Sequence, residues 1–212
     1  MVSTERSSIP VALVRVTGGS LAGRRLSRAP EGVRPSADRL RESLFARLGT
    51  CEGLRVLDLY AGAGTLGIEA LSRGALEVVF VERSARSLAA LRANLRALEL
   101  EDRSRVMRGE VGAVQRRLGR ALERFDLILL DPPYGQGVAE PALRGLVDAG
   151  LLADQGVVIL ERSRHHPVDD VPGLVSGDER RYGDSVTCWF RRAECPAPGP
   201  VAESTQKDSE AE

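Results

Sequence analysis

The segment Asp131-Pro132-Pro133-Tyr134 places a carboxylate and an aromatic ring on either side of two prolines, directly after an apolar run. The run, residues 125–130, is typical of a buried strand. Because proline lacks an N–H group and restricts φ, the chain should leave the strand in an extended conformation. The ring could then stack on a planar base while the carboxylate and a proline carbonyl accept hydrogens from its exocyclic amine. The alternative is a Pro-Pro turn that only ends a strand.

A glycine-rich segment after an earlier apolar run is the second candidate site. Gly62, Gly64 and Gly67 satisfy the spacing G-x-G-x-x-G, and Glu82 follows twenty residues after Gly62. Glycines that allow close backbone approach and an acid for ribose hydroxyls are expected in NAD enzymes and in S-adenosylmethionine enzymes alike. This loop alone leaves both cofactors open.

Three details favour S-adenosylmethionine. Asp58 lies in the strand that leads into the loop, where a carboxylate suits a ligand with an ammonium and a sulfonium but opposes a pyrophosphate. Glu110 follows the third predicted strand and could accept a hydrogen bond from the adenine amine. The Asp131–Tyr134 segment ends the next strand. All these groups should therefore open on one edge of the sheet, where ligands of such folds bind.

Apolar periodicity predicts the elements that position these groups. Strands are expected near residues 55–60, 77–82, 104–108, 125–130 and 156–161, and helices near 65–73, 84–98, 111–122 and 138–149. Such alternation predicts an α/β fold with a parallel sheet covered by helices. Two further strands, near 174–182 and 185–191, should form an antiparallel hairpin at one edge and complete a seven-stranded sheet.

The first fifty residues should form a small hairpin and a helix. Residues 11–16 and 23–26 flank a glycine-rich turn, and Ser36 could cap a helix that runs to about Leu48 with Leu40, Leu44 and Phe45 on its apolar side. We expect three regions: a basic N-terminal hairpin and helix (1–50), a catalytic domain (51–192) and a disordered Pro/Ser/Glu-rich tail (193–212).

Charge is unevenly distributed although the formal net charge is zero. Eight arginines face three acidic residues between positions 15 and 47, whereas five acidic residues face one lysine after position 193. A basic segment of this kind can contact nucleic-acid phosphates, and it can equally be a solvated helix face. Charge alone leaves both interpretations open.

Composition limits the remaining possibilities. Cys51, Cys188 and Cys195 show no paired spacing, so neither a disulfide framework nor a zinc site is predicted. No apolar run approaches the length of a membrane span, and the N-terminus lacks a signal-peptide core. We expect a cytoplasmic protein that requires no metal, and a monomer because no extra apolar face is evident.

Over about residues 13–191 the chain resembles the RsmD family of bacterial 16S rRNA guanine-N2 methyltransferases. The resemblance rests on residues 15–19 (RVTGG) with Gly23-Arg24, 32–45 (GVRPSADRLRESLF), 58–64 (DLYAGAG), 66–75 (LGIEALSRGA), Val81-Glu82, 131–134 (DPPY), and Tyr182-Gly183. The DPPY segment and the glycine loop are shared by many amino-methyltransferases. Residues 32–45 are the specific part of the match.

The resemblance implies a Rossmann-like class I S-adenosylmethionine-dependent methyltransferase fold, and as partner 16S rRNA or an assembling small ribosomal subunit. It implies that the target guanine is held by Asp131, Pro132, Pro133 and Tyr134. We expect the cofactor to be bound by Asp58, Tyr60, Ala61, Gly62, Gly64, Thr65, Glu82, Arg83 and Glu110. We expect RNA phosphates to be contacted by Arg24, Arg25, Arg34, Arg39 and Arg41. The family usually has Asp at the position of Glu110, and the acidic tail lies outside the family pattern.

Three other functions stay open on the sequence. An adenine-N6 methyltransferase acting on DNA or RNA could use the same DPPY segment, although the chain is short and lacks an added target-recognition domain. A ribosome-assembly or RNA-binding factor could keep the fold without turnover. An NAD oxidoreductase is possible only if the glycine loop is considered without the DPPY segment.

Overall fold

The computed structural model describes residues 14–26 and 35–193. Arg34 and the predicted acidic tail after residue 193 lie outside the described residues, as do residues 11–13 of the predicted first strand. Five α-helices occur in the described part of the chain: α1 Pro35–Leu48, α2 Thr65–Ser72, α3 Ala85–Ala97, α4 Val111–Arg120 and α5 Ala139–Asp148.

One seven-stranded sheet forms the centre of the molecule. Its strands are β1 Arg55–Leu59, β2 Glu77–Glu82, β3 Ser104–Arg108, β4 Phe125–Leu130, β5 Leu152–Ser163, β6 Leu174–Tyr182 and β7 Ser185–Arg192. Their order is β3-β2-β1-β4-β5-β7-β6, and only β7 runs antiparallel to its neighbours. The predicted α/β fold, with a mostly parallel seven-stranded sheet and a hairpin at one edge, is confirmed.

Helices cover both faces of the sheet, which explains the continuous apolar runs in the central strands. On one face, Leu44 of α1, Ile68 of α2 and Leu91 of α3 pack in one core with residues of β1 and β2. On the other face, Leu118 of α4 and Leu143 of α5 pack on β4 and β5. The described part of the N-terminal segment, residues 14–26, belongs to the first of these cores.

Local differences from the predicted elements have physical causes. β5 begins at Leu152 rather than near 156, because Leu152 pairs with Phe125 across a bulge before regular pairing resumes at Leu127 and Val157. α1 begins at Pro35, one residue before the predicted cap, and proline is favoured at a first helical position. In the described part of the N-terminal hairpin, one bridge, Arg15 to Arg25, is formed.

A buried carboxylate fixes the N-terminal segment to the core. Glu69 of α2 is fully buried and accepts hydrogen bonds from the backbone N–H (2.8 Å) and the hydroxyl (2.7 Å) of Thr17. Arg73 donates to the same carboxylate at 2.9 Å, and Nε of Arg41 in α1 lies 3.6 Å from it. Such partners are what compensates a charge for its loss of water. The cluster therefore joins residues 14–26, α1 and α2 into one unit.

Three contacts fix the direction of α1. The Ser43 hydroxyl lies 2.7 Å from the Tyr182 hydroxyl at the end of β6, and Arg47, one turn later, pairs with Asp178 and stacks on Trp189 with 4.7 Å to the ring centroid. α1 therefore starts at the edge of the sheet where β6 ends and β7 begins. Among the described residues, no helix is both long and apolar enough to cross a membrane.

Candidate active site

The candidate site lies at the carboxyl rim, the edge of the sheet at which the parallel strands β1, β2, β4 and β5 end. In the sheet register, Leu59 pairs with Val81 on one side and with Leu130 on the other, and Leu130 pairs with Leu160. The glycine loop after β1 and the DPPY segment after β4 therefore leave the sheet side by side. This adjacency is what the strand alternation predicted.

Backbone geometry explains the glycines of the loop. Gly62 has φ +56° and Gly64 has φ +88°, in the left-handed region that favours glycine. A Cβ on Gly64 would lie 2.4 Å from a methyl group of Leu91, and one on Gly67 would lie 2.3 Å from the Phe80 ring. The neighbouring Tyr60 also has positive φ, +64°, which is uncommon for a bulky residue. The chain thus makes a tight, strained bend directly before α2.

Asp58 stabilises this bend through a hydrogen bond with the backbone of α2. Its side chain is 1% exposed, and Oδ2 accepts a hydrogen bond from the Gly67 N–H at 2.9 Å. Burial raises the pKa of the Asp58 carboxyl to about 7; the Gly67 hydrogen bond opposes this increase, and the Glu82 carboxylate adds to it. A cationic ligand above the loop would therefore stabilise the ionised form of Asp58.

Glu82 organises the backbone on the other side of the loop. Its Oε2 accepts from the Gly62 N–H (2.9 Å), and its Oε1 accepts from the N–H groups of Arg83 (2.8 Å) and Ser84 (2.7 Å). A carboxylate offers about four acceptor positions, so a hydroxyl group of a ligand can still be bound. The side chain is half-buried at the end of β2, with its carboxylate held in one orientation.

The predicted adenine contact, Glu110, lies at the surface. Its carboxylate is 70% exposed and pairs with Arg83 at 3.3 Å. Burial raises the pKa of the Tyr60 hydroxyl, the charge of Glu110 raises it further, and the charge of Arg83 opposes the increase. An exposed ion pair of this kind contributes little stability and can rearrange. The adenine contact of Glu110 stays a prediction.

The DPPY segment forms an open clamp beside the loop. Pro132 is buried, whereas Asp131, Pro133 and Tyr134 reach the surface. The Tyr134 hydroxyl donates to Oε1 of Glu161 at 2.7 Å and lies 2.9 Å from the Ser185 hydroxyl, so the ring is anchored at its outer end. The residue as a whole is 42% exposed, which leaves a surface on which a base can stack.

Asp131, at the end of β4, has one carboxylate on each neighbouring strand, Asp58 on β1 and Glu161 on β5. Part of its side chain faces solvent at the rim, yet the surrounding protein removes enough water to raise the pKa of its carboxyl. The charges of Glu161 and Asp58 raise this pKa further. No salt bridge joins any of the three carboxylates to a described residue. The rim therefore favours positive charge and hydrogen-bond donors.

Of the five predicted RNA-contacting arginines, the four that the structure describes are not brought together, and Arg34 lies outside the described residues. Arg39 is exposed on α1, one turn before Ser43, and therefore lies on the part of α1 nearest the carboxyl rim. Arg24 and Arg25 are exposed, but Arg24 donates to the Ala97 carbonyl (3.1 Å) at the end of α3. α3 has 13 residues and starts near the rim, so Arg24 lies about 20 Å away, at the opposite edge of the sheet.

Arg41 is a correction to the sequence prediction. Its side chain is only 4% exposed; it donates to the Arg15 carbonyl at 2.6 Å and belongs to the Glu69 cluster. The guanidinium therefore binds protein groups in the interior rather than RNA phosphates at the surface. Charge patterning cannot distinguish such a residue from its exposed neighbour Arg39.

Glu161 and Ser185 are site residues that the sequence interpretation missed. Glu161 lies near the end of β5 and Ser185 begins β7, so both stand at the carboxyl rim, and both contact the Tyr134 hydroxyl. A signal for Glu161 existed: an acidic residue directly follows the apolar run 157–160, as Asp131 follows the run before it.

Comparisons with known proteins agree with this geometry. The family model "Conserved hypothetical protein 95" matches residues 14–191. The chain is 36% identical over 185 residues to a protein of Bacillus subtilis named putative rRNA methyltransferase YlbH, with 84% of this chain and 99% of that one covered. It is 32% identical over 162 residues to ribosomal RNA small subunit methyltransferase D of Escherichia coli, with 75% and 79% covered.

The solved structures include a close match in fold. The putative methyltransferase yhhF of Escherichia coli superposes with a TM-score of 0.76 at 30% identity, and the match covers 85% of this chain and 98% of that one. This match confirms the methyltransferase fold that the resemblance to the RsmD family implied. With the family model matched over nearly all described residues, the chain belongs to the Conserved hypothetical protein 95 family, the RsmD family of methyltransferases.

Proposed function

We propose that this protein uses S-adenosylmethionine to methylate the exocyclic N2 of a guanine in 16S rRNA. The observation that carries the proposal is the adjacency of the glycine bend and the DPPY clamp at one rim, with Asp131 next to Asp58 and without a cationic partner among the described residues. The relatives named above as rRNA methyltransferases support an RNA substrate.

The residues present fit this cofactor better than a dinucleotide. Asp58 and Glu82 place two carboxylates at the loop, and Oδ2 of Asp58 already accepts from the Gly67 N–H inside α2. A pyrophosphate would have to approach both negative charges, whereas an ammonium and a sulfonium would be attracted by them. Asp58 and Gly62 would hold the amino acid end of the cofactor, and Glu82 would hold the ribose hydroxyls. When bound, S-adenosylmethionine supplies an electrophilic methyl group.

Positioning is the main contribution of the protein to this reaction. The lone pair of an exocyclic amine is delocalised into the ring, so the nitrogen must pyramidalise and align with the methyl group before transfer. Tyr134 presents an exposed ring face, held at its hydroxyl, for the extruded base. Pro132 and Pro133 fix the backbone between the ring and Asp131, so the base and the carboxylate keep a constant separation.

Asp131 provides the electrostatic part. Its carboxylate accepts a hydrogen from the amine, directs the nitrogen lone pair towards the donor, and stabilises the positive charge that develops on nitrogen. A carboxyl with raised pKa is also a suitable acceptor for the proton that the product amine releases. The exocyclic amine attacks the methyl carbon directly, so no covalent intermediate with the protein is required.

Reconstitution tests the proposal. Purified protein is incubated with small-subunit RNA or assembled subunits and with S-adenosylmethionine labelled in the methyl group, and the RNA is digested to nucleosides. We expect N2-methylguanosine as the labelled product, and Asp131→Ala, with an unchanged unfolding temperature, should form none. N6-methyladenosine as the product would instead support an adenine-N6 methyltransferase that uses the same DPPY segment.

A further inference from the structure

Glu161 stands next to Asp131 at the carboxyl rim. β4 and β5 pair in parallel, with Leu130 opposite Leu160, so the next residues of the two chains are Asp131 and Glu161. Neighbouring residues of parallel strands point to the same face of a sheet. The two carboxyl groups therefore stand side by side, and the negative charge of Glu161 acts on the Asp131 carboxyl.

The hydrogen bonds of Glu161 leave one of its oxygens available. Tyr134 has one hydroxyl hydrogen and donates it to Oε1 of Glu161, so the Ser185 hydroxyl is the donor in its 2.9 Å contact with the Tyr134 oxygen. This arrangement holds the Glu161 carboxylate in one orientation at the clamp. No second hydrogen bond and no ion pair joins the Glu161 carboxylate to another described residue.

Anchoring Tyr134 does not by itself account for an acidic residue here. A glutamine carbonyl would accept the same hydrogen bond, without a second negative charge next to Asp131. The repulsion is a cost that no described cation offsets. A carboxylate at this point is favourable when a ligand brings a hydrogen-bond donor to it.

The two candidate target bases differ at that point. In guanine, the ring N1–H lies next to the N2 amine, so two donors face the same direction; in adenine, N1 is an acceptor next to the N6 amine. If Asp131 accepts from the amine, the atom beside the amine faces the neighbouring carboxylate. We propose that Glu161 selects guanine over adenine by accepting a hydrogen bond from guanine N1–H. This inference rests on the proposed guanine-N2 function and names the residue that determines its base specificity.

The expected effect is large enough to measure. A hydrogen bond to a charged group is worth about tenfold to 100-fold in binding, and more is lost when a carboxylate must face an acceptor nitrogen. 2-Aminopurine separates the contribution of the N1–H hydrogen bond from that of the reacting amine, because it has the same exocyclic amine at C2 but an acceptor at N1. Inosine is the complementary probe, since it keeps N1–H and lacks the amine.

The test compares guanine and 2-aminopurine placed at the modified position of small-subunit RNA. For the wild-type protein we expect kcat/KM to be about 100-fold lower with 2-aminopurine. Glu161→Gln should reduce this preference to less than about tenfold, because an amide can donate to an acceptor nitrogen as well as accept from N1–H. Inosine RNA should compete with guanine RNA for the wild type, and should compete at least about tenfold less well for Glu161→Ala.

Tyr134→Phe is the matched control, because it removes the hydroxyl that orients Glu161 and keeps both the ring and the carboxylate. We expect it to lower the rate with both bases and to keep most of the preference for guanine. Thermal unfolding and cofactor binding of each variant are measured alongside to establish that it is folded. An unchanged guanine preference in folded Glu161→Gln would overturn the role of Glu161 while leaving guanine methylation intact. A wild-type protein that forms no N2-methylguanosine would overturn the proposed function itself.

Discussion

Individual carboxylates at the carboxyl rim are held in different ways, and their chemistry differs accordingly. Asp58 is buried and bonded to the backbone of α2, whereas Asp131 stands at the surface of the cleft beside Glu161. Both have a raised pKa, for which loss of water is the largest cause. The ionisation of Asp58 therefore depends on the charge of a bound ligand, and the ionisation of Asp131 depends on the charge of Glu161.

Replacing Glu161 should change the pH dependence of methylation. Asp131 must be ionised to accept the amine hydrogen, so kcat/KM should rise with pH through the raised pKa of Asp131. Removing the Glu161 charge in Glu161→Gln lowers that pKa, so the acidic limb of the profile should move to lower pH. A pH–rate profile of the two proteins measures the shift. Superimposable acidic limbs would show that the two carboxyl groups do not interact.

Asp58→Asn should weaken cofactor binding and raise the stability of the folded protein. Because the folded-state pKa of Asp58 is about 7 and its ordinary value is 3.8, the folded protein loses stability as pH rises from about 4 to 7. Asparagine keeps an acceptor for the Gly67 N–H without the charge, so thermal unfolding at pH 8 should occur at a higher temperature than in the wild type. Titration with S-adenosylmethionine should show at least about tenfold weaker binding.

The same comparison at pH 4 is the control for Asp58→Asn, since the wild-type carboxyl is then protonated in the folded state. The difference in unfolding temperature should become small at that pH. A variant that is less stable than the wild type at pH 8 would contradict the view that burial of the charge is costly.

At the scale of elements, the bend between β1 and α2 needs a residue that adopts positive φ and also has no side chain to clash with α3. Gly64 combines φ +88° with a position at which a Cβ would lie 2.4 Å from Leu91. Gly64→Ala should cost about 1–2 kcal/mol for the backbone and a further 1–3 kcal/mol for overpacking. We expect a lower free energy of unfolding by denaturant and loss of cofactor binding.

Gly112→Ala in α4 is the matched control for Gly64→Ala. Gly112 does not have positive φ, and its Cβ would meet only the end of the Arg116 side chain, at 3.5 Å. Alanine is favoured over glycine in a helix by about 1 kcal/mol, so this variant should be as stable as the wild type or more stable. Equal stability of the two alanine variants would contradict the steric account of the loop.

Periodicity predicted most elements, and its failures are informative. The apolar runs of β1, β2 and β4 are buried on both faces and could be recognised without knowledge of their partners. The start of β5 could not, because residues 153–156 carry no apolar alternation and are extended only through pairing near Phe125. Arg41 was misassigned for a similar reason, since its partner Glu69 is 28 residues away in the chain.

At the scale of the whole molecule, the basic residues divide between the two edges of the sheet. Arg39 lies on the part of α1 nearest the carboxyl rim, and Arg24 lies at the far end of α3. Arg39→Ala should weaken RNA binding and reduce the slope of log K against log salt by about 0.7–0.9, whereas Arg24→Ala should have a smaller effect. Filter binding at several salt concentrations measures both. The opposite ranking would show that RNA approaches from the other edge.

The two halves of the candidate site could be placed together from the sequence because the carboxyl ends of parallel strands lie at the same edge of the sheet. Asp58, Gly62 and Gly64 could be placed beside Asp131 to Tyr134 without coordinates, as β1 and β4 confirm. The contact of Tyr134 with Glu161 was missed although the sequence carried a signal for it. The contact with Ser185 could not be foreseen, since it depends on β7 inserting antiparallel between β5 and β6. Long-range order of strands was thus the missing information.

The central claim is that the clamp and the glycine bend together methylate guanine N2 in small-subunit RNA. Mass mapping of modified nucleotides in that RNA, from cells with and without this protein, tests it most directly. The account predicts one N2-methylguanosine that disappears in the deletion strain, returns with the wild-type protein and does not return with Asp131→Ala. An unchanged set of N2-methylguanosines, or the loss of a methyladenosine instead, would contradict it.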